Sequence, residues 1–487
     1  MMKKTPIALA CALLLSANSH AEGFKLYEQS VSAMGNAYAG RGAQITDASL
    51  VYSNPAALTA LPGTQIASGL TLIHVESDYQ NATATSANGQ SVVGRSEGTN
   101  SLNAPVPFLF VSTQLNDKVT LGGGIYAPFG LSSDYQNDWA GRYFADETAI
   151  QVVALQGSVG YELNDHWSVG LGVALNRVDG TLSKYKDHSG LCELGTNINA
   201  MFGANVYQAA YCNSHYEVQG DDYAPSYSIG VYGEPIDGLR LAAVYHSETA
   251  YHLTGDSVIT NTPITGSNVA GSPNYLVVSP TLPAIDKSTG KLAVNSQLVE
   301  ASTLDLTTPA SLTLSLDQQV SKALSWQASL AWTGWHSFRS IDIVSRADTP
   351  TISRSTQAAS NLNSPGYIGF IPEHWQDSYS AALGLTWTLA NGDTIKSGIA
   401  YDESPIASAH RTARVPTNDR LWWTLGYGAD LAQNWHLDIA AGYMWMDQIH
   451  VSEREYNVQE VALYRSSLNV DYKNSAVIVG AQVNYRF

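Results

Sequence analysis

After residue 21 the 487-residue chain has no apolar run approaching the 18 or more residues that a membrane-spanning helix needs, which excludes a helical inner-membrane transporter. Charge is scarce as well: only 14% of residues are Asp, Glu, Lys or Arg, and 25 basic residues face 42 acidic ones, for a net charge of −17. With no basic field to pair with phosphates, nucleic acid is excluded as a partner. Catalytic signatures are missing too. There is no Gly-x-Ser-x-Gly and no His-Glu-x-x-His, and the histidines lack zinc-ligand spacing, so neither a metal nor another cofactor is expected. Gly35 to Gly42 imitates half a phosphate-binding loop, but Arg41-Gly42 stands where Lys-Ser/Thr belongs and no strand precedes it. Ser183-x-x-Lys186 is a serine-hydrolase fragment without companions. Cysteine is limited to Cys11, Cys192 and Cys212.

What is present begins with an export signal. Lys3 and Lys4 form a basic start, Ile7 to Leu15 an apolar stretch, and Ser19-His20-Ala21 a small-x-small cleavage site, so residues 1–21 read as a secretory signal peptide and the mature chain would start at Glu22. Cys11 could be read as a lipidation site, but it lies inside the apolar stretch, with Ala8 where such a site prefers Leu. Cleavage would remove two lysines and no acid, taking the net charge to −19. An acidic, secreted chain with 27 Tyr, 11 Trp and 40 Gly suits the bacterial outer membrane, where aromatic girdles mark both interfaces of a β-barrel.

The hydrophobic period is two. Trp167, Val169, Leu171, Val173 and Leu175 alternate with Ser168, Gly170, Gly172, Ala174 and Asn176, and the same holds from Trp435 to Trp445. A soluble sandwich strand would look alike. The connections discriminate, because short turns (Asn116 to Lys118, Asn164-Asp165, Ser321 to Ala323, Asn391-Gly392, Ala432 to Asn434) are separated by long polar stretches such as 183–222 and 254–305. Short turns at one end, long loops at the other and an even strand count are the layout of an outer-membrane barrel. The pattern predicts fourteen antiparallel strands, near 64–78, 103–115, 119–131, 147–163, 166–182, 223–234, 238–253, 306–320, 324–343, 375–390, 393–404, 417–431, 435–451 and 473–487. The last sets Val477, Val479, Ala481, Val483, Tyr485 and the terminal Phe487 on one face and Ile478, Gly480, Gln482, Asn484 and Arg486 on the other, and a final strand ending in Phe resembles the signal read by the barrel-insertion machinery. The expected fold is thus all-β, a 14-stranded transmembrane barrel over 64–487.

Residues 22–63 do not fit it. They lack period two, hold helix-like pieces (Ser30 to Tyr38, Asp47 to Tyr52) and are rich in Gly and Ala, as a plug inside a lumen would be. Glu22 to Ser30, Met34 to Ala43, Asp47 to Ser49 and above all Asn54-Pro55-Ala56 resemble the N-terminal hatch of the FadL family of long-chain fatty-acid and hydrocarbon transporters. Ala127 to Leu131, Asp138 to Tyr143, Val244 to Glu248, Trp332 to Trp335 and Arg414 to Arg420 match further, in the family's order. The resemblance covers essentially the whole mature chain. It implies a plugged 14-stranded barrel, passive uptake of hydrophobic ligands without catalysis, and exit through a gap in the wall.

A weak wall is also legible from residue types. Folding the third strand back through Asn116 to Lys118 sets Pro107 near Ala127 and Pro105 near Phe129, so Pro105, Pro107, Pro128 and Gly130 meet across one ladder, where sheet interiors exclude them. These residues would also serve merely to bend strand ends into the outer loops; the resemblance places the family's kink at Gly130. Lys184 continues the inward parity of Ser168 and Asn176, at a place where the resemblance puts a basic residue in fatty-acid members, and is the candidate for a ligand carboxylate; the alternative is a solvated loop lysine. Long-chain fatty acids are the favoured ligand and aromatic hydrocarbons the runner-up. A barrel lipase or an adhesin and phage receptor are the competing classes. A monomer, surrounded by outer-membrane lipid, is expected. Cys192 and Cys212, the two cysteines left after cleavage, share one long outer loop and are expected to form a disulfide that orders the apolar Leu191 to Tyr211 stretch; two free thiols are the alternative.

Overall fold

The computed structural model describes residues 23–187, 213–260, 285–286, 291–292, 297–348, 350–353 and 366–487. Residues 1–22, Cys192, Cys212 and the stretch between those cysteines lie outside the described residues, and with them the expected signal peptide and disulfide. Fourteen antiparallel strands follow one another around a closed wall. They are β1 Thr64–Thr85, β2 Gly98–Asn116, β3 Val119–Asp134, β4 Glu147–Asn164, β5 Trp167–Asp187, β6 Asn213–Ile236 and β7 Leu239–His246 with Thr249–Thr260. Then come β8 Gln297–Thr308 with Ser311–Gln319, β9 Leu324–Thr333 with Ser340–Ser345, β10 Tyr367–Pro372 with Ser378–Thr388, and β11 Thr394–Asp402. The last three are β12 Arg420–Ala432, β13 Trp435–Met446 with Ile449–Glu453, and β14 Ser467–Arg486. β14 pairs with β1 from Gln65↔Arg486 to Thr85↔Ser467 and closes the ring.

The alternation fixes which face meets lipid. On β5 Ser168, Gly170, Ala174, Asn176 and Val178 are buried, while Leu171, Val173 and Leu175 are about half exposed. Leu70, Leu155, Ile229, Leu330, Leu383, Ile399, Leu425 and Val479 repeat this around the wall. So large an apolar exterior is untenable in water and is stable only against hydrocarbon. The short turns are held by side chains: Asn116 Oδ1 accepts from Lys118 N and Val119 N at 3.0 Å each, and Asn164 Oδ1 accepts from His166 N and Trp167 N at 3.0 and 3.1 Å.

Two features differ from the sequence expectation. Several strands run farther outward than their apolar alternation does: β5 reaches Asp187, β6 starts at Asn213 and β8 at Gln297. Above the membrane the outward face is polar (Asp179, Asp221, Asp256), so backbone pairing continues where the hydrophobic signal has stopped. In addition, β9 and β10 break at residues 334–339 and 373–377, which turn inward.

Residues 23–62 lie in the lumen. Helix α1 (Val31–Met34) is capped by Ser30 Oγ and packs on β12, β13 and β14; α2 (Leu50–Ser53) and a 3-10 helix (Pro55–Ala60) pack on β3 and β4, and the 3-10 helix also on β5 and β6. α1 is shorter than the predicted 30–38, since Ala37 and Tyr38 take positive φ, and α2 covers four residues against the predicted 47–52. The wall holds the segment through inward polar groups. Lys396 Nζ donates to Ser32 Oγ at 2.6 Å and lies 3.5 Å from Asp438 Oδ1, and Gln482 Oε1 accepts from Val31 N at 2.9 Å.

Candidate functional site

The β2–β3 ladder runs from Asn116↔Val119 to Leu109↔Ile125 and stops. Its register, continued outward, would oppose Pro107 to Ala127 and Pro105 to Phe129, the juxtaposition expected from the sequence, but neither pair forms. β2 carries on bonded to β1 alone (Pro107↔Leu70, Pro105↔Leu72), and β3 to β4 alone. Prolines fit the β1–β2 ladder only where the donor they lack would point away from β1, toward the missing partner. β3 also carries one extra residue at Ala127–Pro128, since Tyr126 opposes Ala154 and Phe129 opposes Val152. The bulge bends β3 away from β2. Farther out the two edges meet again through Gln136 Nε2, which donates to Thr99 O at 3.3 Å. The wall therefore has a bounded window between the Leu109–Ile125 pair and Gln136.

The N-terminal segment supplies the partners that β2 does not. Leu26 N donates to Pro128 O at 2.9 Å, Gly130 N donates to Phe24 O at 3.0 Å, and Lys25 stands opposite Phe129. Gln29 Nε2 donates to Ala127 O at 2.8 Å. A strand edge in a membrane wall cannot leave these groups unpaired, and a short piece of added strand satisfies them. A Cβ on Gly130 would stand 3.1 Å from Leu26 Cδ1, so glycine leaves room for that side chain.

Asn54, Pro55 and Ala56 sit at the opposite side of the segment. The Asn54 side chain is fully buried, with Nδ2 donating to Gly42 O at 2.8 Å and to Val231 O at 3.3 Å and Oδ1 accepting from Ala56 N at 3.0 Å. Wall glycines permit this approach: a Cβ on Gly230 would lie 2.1 Å from Asn54 Oδ1, and one on Gly170 2.2 Å from Ala56 N.

Above the segment the lumen is apolar. Ile150, Val152, Val178, Leu182, Leu253 and Leu304 project from β4 to β8, and the inward breaks of β9 and β10 bring Trp335, Phe338 and Trp375. Phe24 forms the floor, its ring 4.8 Å from Trp335, 5.7 Å from Trp375 and 5.9 Å from Phe129, in edge-to-face contacts. Sequence reasoning had Trp335 only as part of a matching stretch and missed Trp375 and Phe338; no strand-parity rule covers residues in a break. Arg414, from the loop between β11 and β12, is buried beside this chamber, donating through Nη1 to Thr148 Oγ1 at 3.2 Å. Burial lowers its guanidinium from the ordinary value, against the pull of Glu453 and Glu373.

Lys184 has the inward parity expected of it, on β5, but its ammonium is held by the Glu455 carboxylate. Lys25 was not singled out from the sequence. It is 8% exposed and lines a cavity together with Tyr126, Pro128 and Phe129, the residues at the window's edge. Among the described residues no cluster of three metal-ligating side chains occurs.

The family model described as "Outer membrane protein transport protein (OMPP1/FadL/TodX)" matches residues 12–487. The chain is 25% identical over 496 residues to a long-chain fatty acid transport protein of Escherichia coli O6:H1, covering 100% of this chain and 99% of that one. It is 25% identical over 511 residues to outer membrane protein P1 of Haemophilus influenzae, covering 100% of both. In fold it is similar to a Pseudomonas aeruginosa FadL homologue, with TM-score 0.78, 22% identity and coverage of 96% of this chain and 100% of that one. The Pseudomonas putida toluene transporter TodX superposes with TM-score 0.63 at 16% identity, with the same coverage.

Proposed function

The chain belongs to the outer membrane protein transport protein (OMPP1/FadL/TodX) family, and from that premise we propose that it takes up long-chain fatty acids and releases them sideways between β2 and β3. It is an outer-membrane transporter of hydrophobic molecules and, as a member of a family of passive channels, not an enzyme.

The interrupted β2–β3 ladder carries the reading of the route. A ligand that has reached the apolar chamber rests on Phe24, and the window lies beside that residue, where Phe24 to Gln29 bond to β3. Lateral release keeps an apolar tail out of the aqueous periplasm, which at about 0.8 kcal/mol per methylene is decisive for a long chain. The Asn54-Pro55-Ala56 stretch acts as the fixed side of the hatch and Phe24 to Gln29 as its moving side. Buried cations favour a carboxylate ligand over a bare hydrocarbon: Arg414 stands at the chamber and Lys25 beneath it. At Lys184 an incoming carboxylate would have to displace Glu455. The relatives described as long-chain fatty acid transport proteins agree with this choice.

A disulfide staple tests the route. Cysteines at Pro107 and Ala127, opposite each other in the continued register, are expected to close the window on oxidation and stop oleate uptake by cells, with recovery on reduction. A staple that forms and leaves uptake unchanged would refute lateral release. Titrating the purified barrel with oleate and with an alkylbenzene tests the ligand. Tighter binding of the alkylbenzene would replace the fatty-acid reading with the hydrocarbon one.

A further inference from the structure

We propose that Lys25 is a carboxylate-binding residue, receiving the headgroup of a long-chain acid in the cavity beside the window. The inference rests on the transport reading above and adds to it a defined polar station at the boundary between chamber and exit.

The argument starts from a cation without a counter-ion. A lysine is almost never fully buried unless it is paired. Lys396, buried in the wall, has Asp438, and Lys184 has Glu455. Lys25 is as buried as Lys396, yet among the described residues no carboxylate oxygen comes within ion-pairing distance. Its Nζ has a long hydrogen bond to Thr333 Oγ1, 3.4 Å, and lies 5.4 Å from the centre of the Tyr27 ring. Glu28, three residues along, is turned elsewhere, its Oε2 accepting from Tyr27 N at 2.8 Å.

The surroundings suit an anion. The cavity that Lys25 lines is also bordered by Ser226, Thr249 and Ser311, whose hydroxyls are donors of the kind a second carboxylate oxygen needs. Phe129 borders this cavity and also packs against the apolar chamber. A carboxylate at Lys25 thus leaves its alkyl chain free to lie past Phe129 and Phe24 among apolar side chains. The backbone of Lys25 is fixed on both sides, by the Phe24 and Leu26 hydrogen bonds to β3, so the side chain leaves the window's edge from a fixed point and carries its ammonium into the lumen, toward Thr333 of β9.

Purified full-length barrel, titrated with oleate and with oleyl alcohol, tests this directly; the two probes share a chain and differ in the carboxylate. Lys25→Met is expected to weaken oleate binding at least tenfold and leave the alcohol unchanged, with Lys25→Arg close to the unaltered protein. Heat-modifiable gel mobility checks that each variant is a closed barrel. Unchanged oleate affinity in Lys25→Met overturns the inference and leaves the transport reading intact. Equal losses for both probes also overturn it, because packing rather than charge is then responsible. If the unaltered protein binds neither probe, the transport reading falls, and this inference with it.

Discussion

Replacing Asn54 by alanine removes three hydrogen bonds in a place that water does not reach. The Oδ1 acceptor that caps the 3-10 helix is lost, which costs about 0.5–2 kcal/mol. Gly42 O and Val231 O lose their Nδ2 donor, and a buried carbonyl left without a partner costs about 1–3 kcal/mol, less where it keeps a second bond. The sum, about 2–4 kcal/mol, falls on the docking of the N-terminal segment rather than on the wall, whose ladders do not involve this side chain. Backbone amides of residues 50–60 should then exchange with deuterium roughly 30- to 1,000-fold faster, while those of β4 to β6 keep their protection. Asn54→Asp sharpens the test. Aspartate keeps the helix-capping oxygen but turns a second oxygen toward two carbonyls and buries a charge, so it should be worse than alanine. If Asn54 were only a cap, aspartate would do as well as asparagine. Wild-type exchange in Asn54→Asp, or unfolding of the whole barrel in Asn54→Ala, would refute the reasoning.

Gly130→Val should assemble normally and lower oleate uptake several-fold in a cell assay, because its bulk meets Leu26 in the window; unchanged uptake would sink the gap's role. Glu28 has its carboxyl raised by burial from 4.5 to about 7, against the pull of its backbone hydrogen bond, Arg420 and Arg41. A raised carboxyl favours the folded state least above pH 7, and the penalty fades as pH falls from 7 toward 4.5. Exchange of the amides of residues 24–34, corrected for intrinsic rates, should therefore slow between pH 8 and pH 6, and Glu28→Gln should abolish that dependence. Glu455→Gln frees the Lys184 ammonium and should tighten oleate binding a few-fold if Lys184 receives the ligand; no change argues that it does not. Peptide mapping of unreduced protein by mass spectrometry should find Cys192 and Cys212 in one disulfide-linked pair, a bridge closing a loop of about 20 residues and contributing on the order of 3 kcal/mol; alkylatable thiols at both would exclude it.

The strand count and the lipid-facing side of each strand were legible because a two-residue period is written into every membrane crossing, as in Leu171, Val173 and Leu175. The ladder's interruption falls where the sequence sets Pro105, Pro107 and Pro128, which lack donors whatever surrounds them; the tight turn at Asn116 fixes a register that would oppose them, and the pairing stops short of it. What closes the window was not legible. That Phe24 and Leu26 hydrogen-bond to β3 is a contact between residues about a hundred positions apart, and no local pattern announces it. The chamber was missed in part for the same reason, since Trp335 and Trp375 enter it from breaks in β9 and β10. Lys184 shows the opposite limit: parity gave its side of the strand, but its partner Glu455 comes from the far side of the ring.

The two prolines of β2 bear on how the molecule keeps its own company. A strand whose outer half is bonded on one side only is a template for any other extended chain, and two such barrels lying side by side in a membrane could in principle zip together along these borders. Pro105 and Pro107 lack the donors that such zipping would use, and both rings stand outward, toward lipid. The border can therefore accept a few hydrogen bonds but cannot run a continuous ladder with a neighbour. The residues that hold the wall ajar for a ligand thus also make it a poor seam for self-association, so that an opening onto the lipid phase is kept without inviting fusion of one sheet with the next.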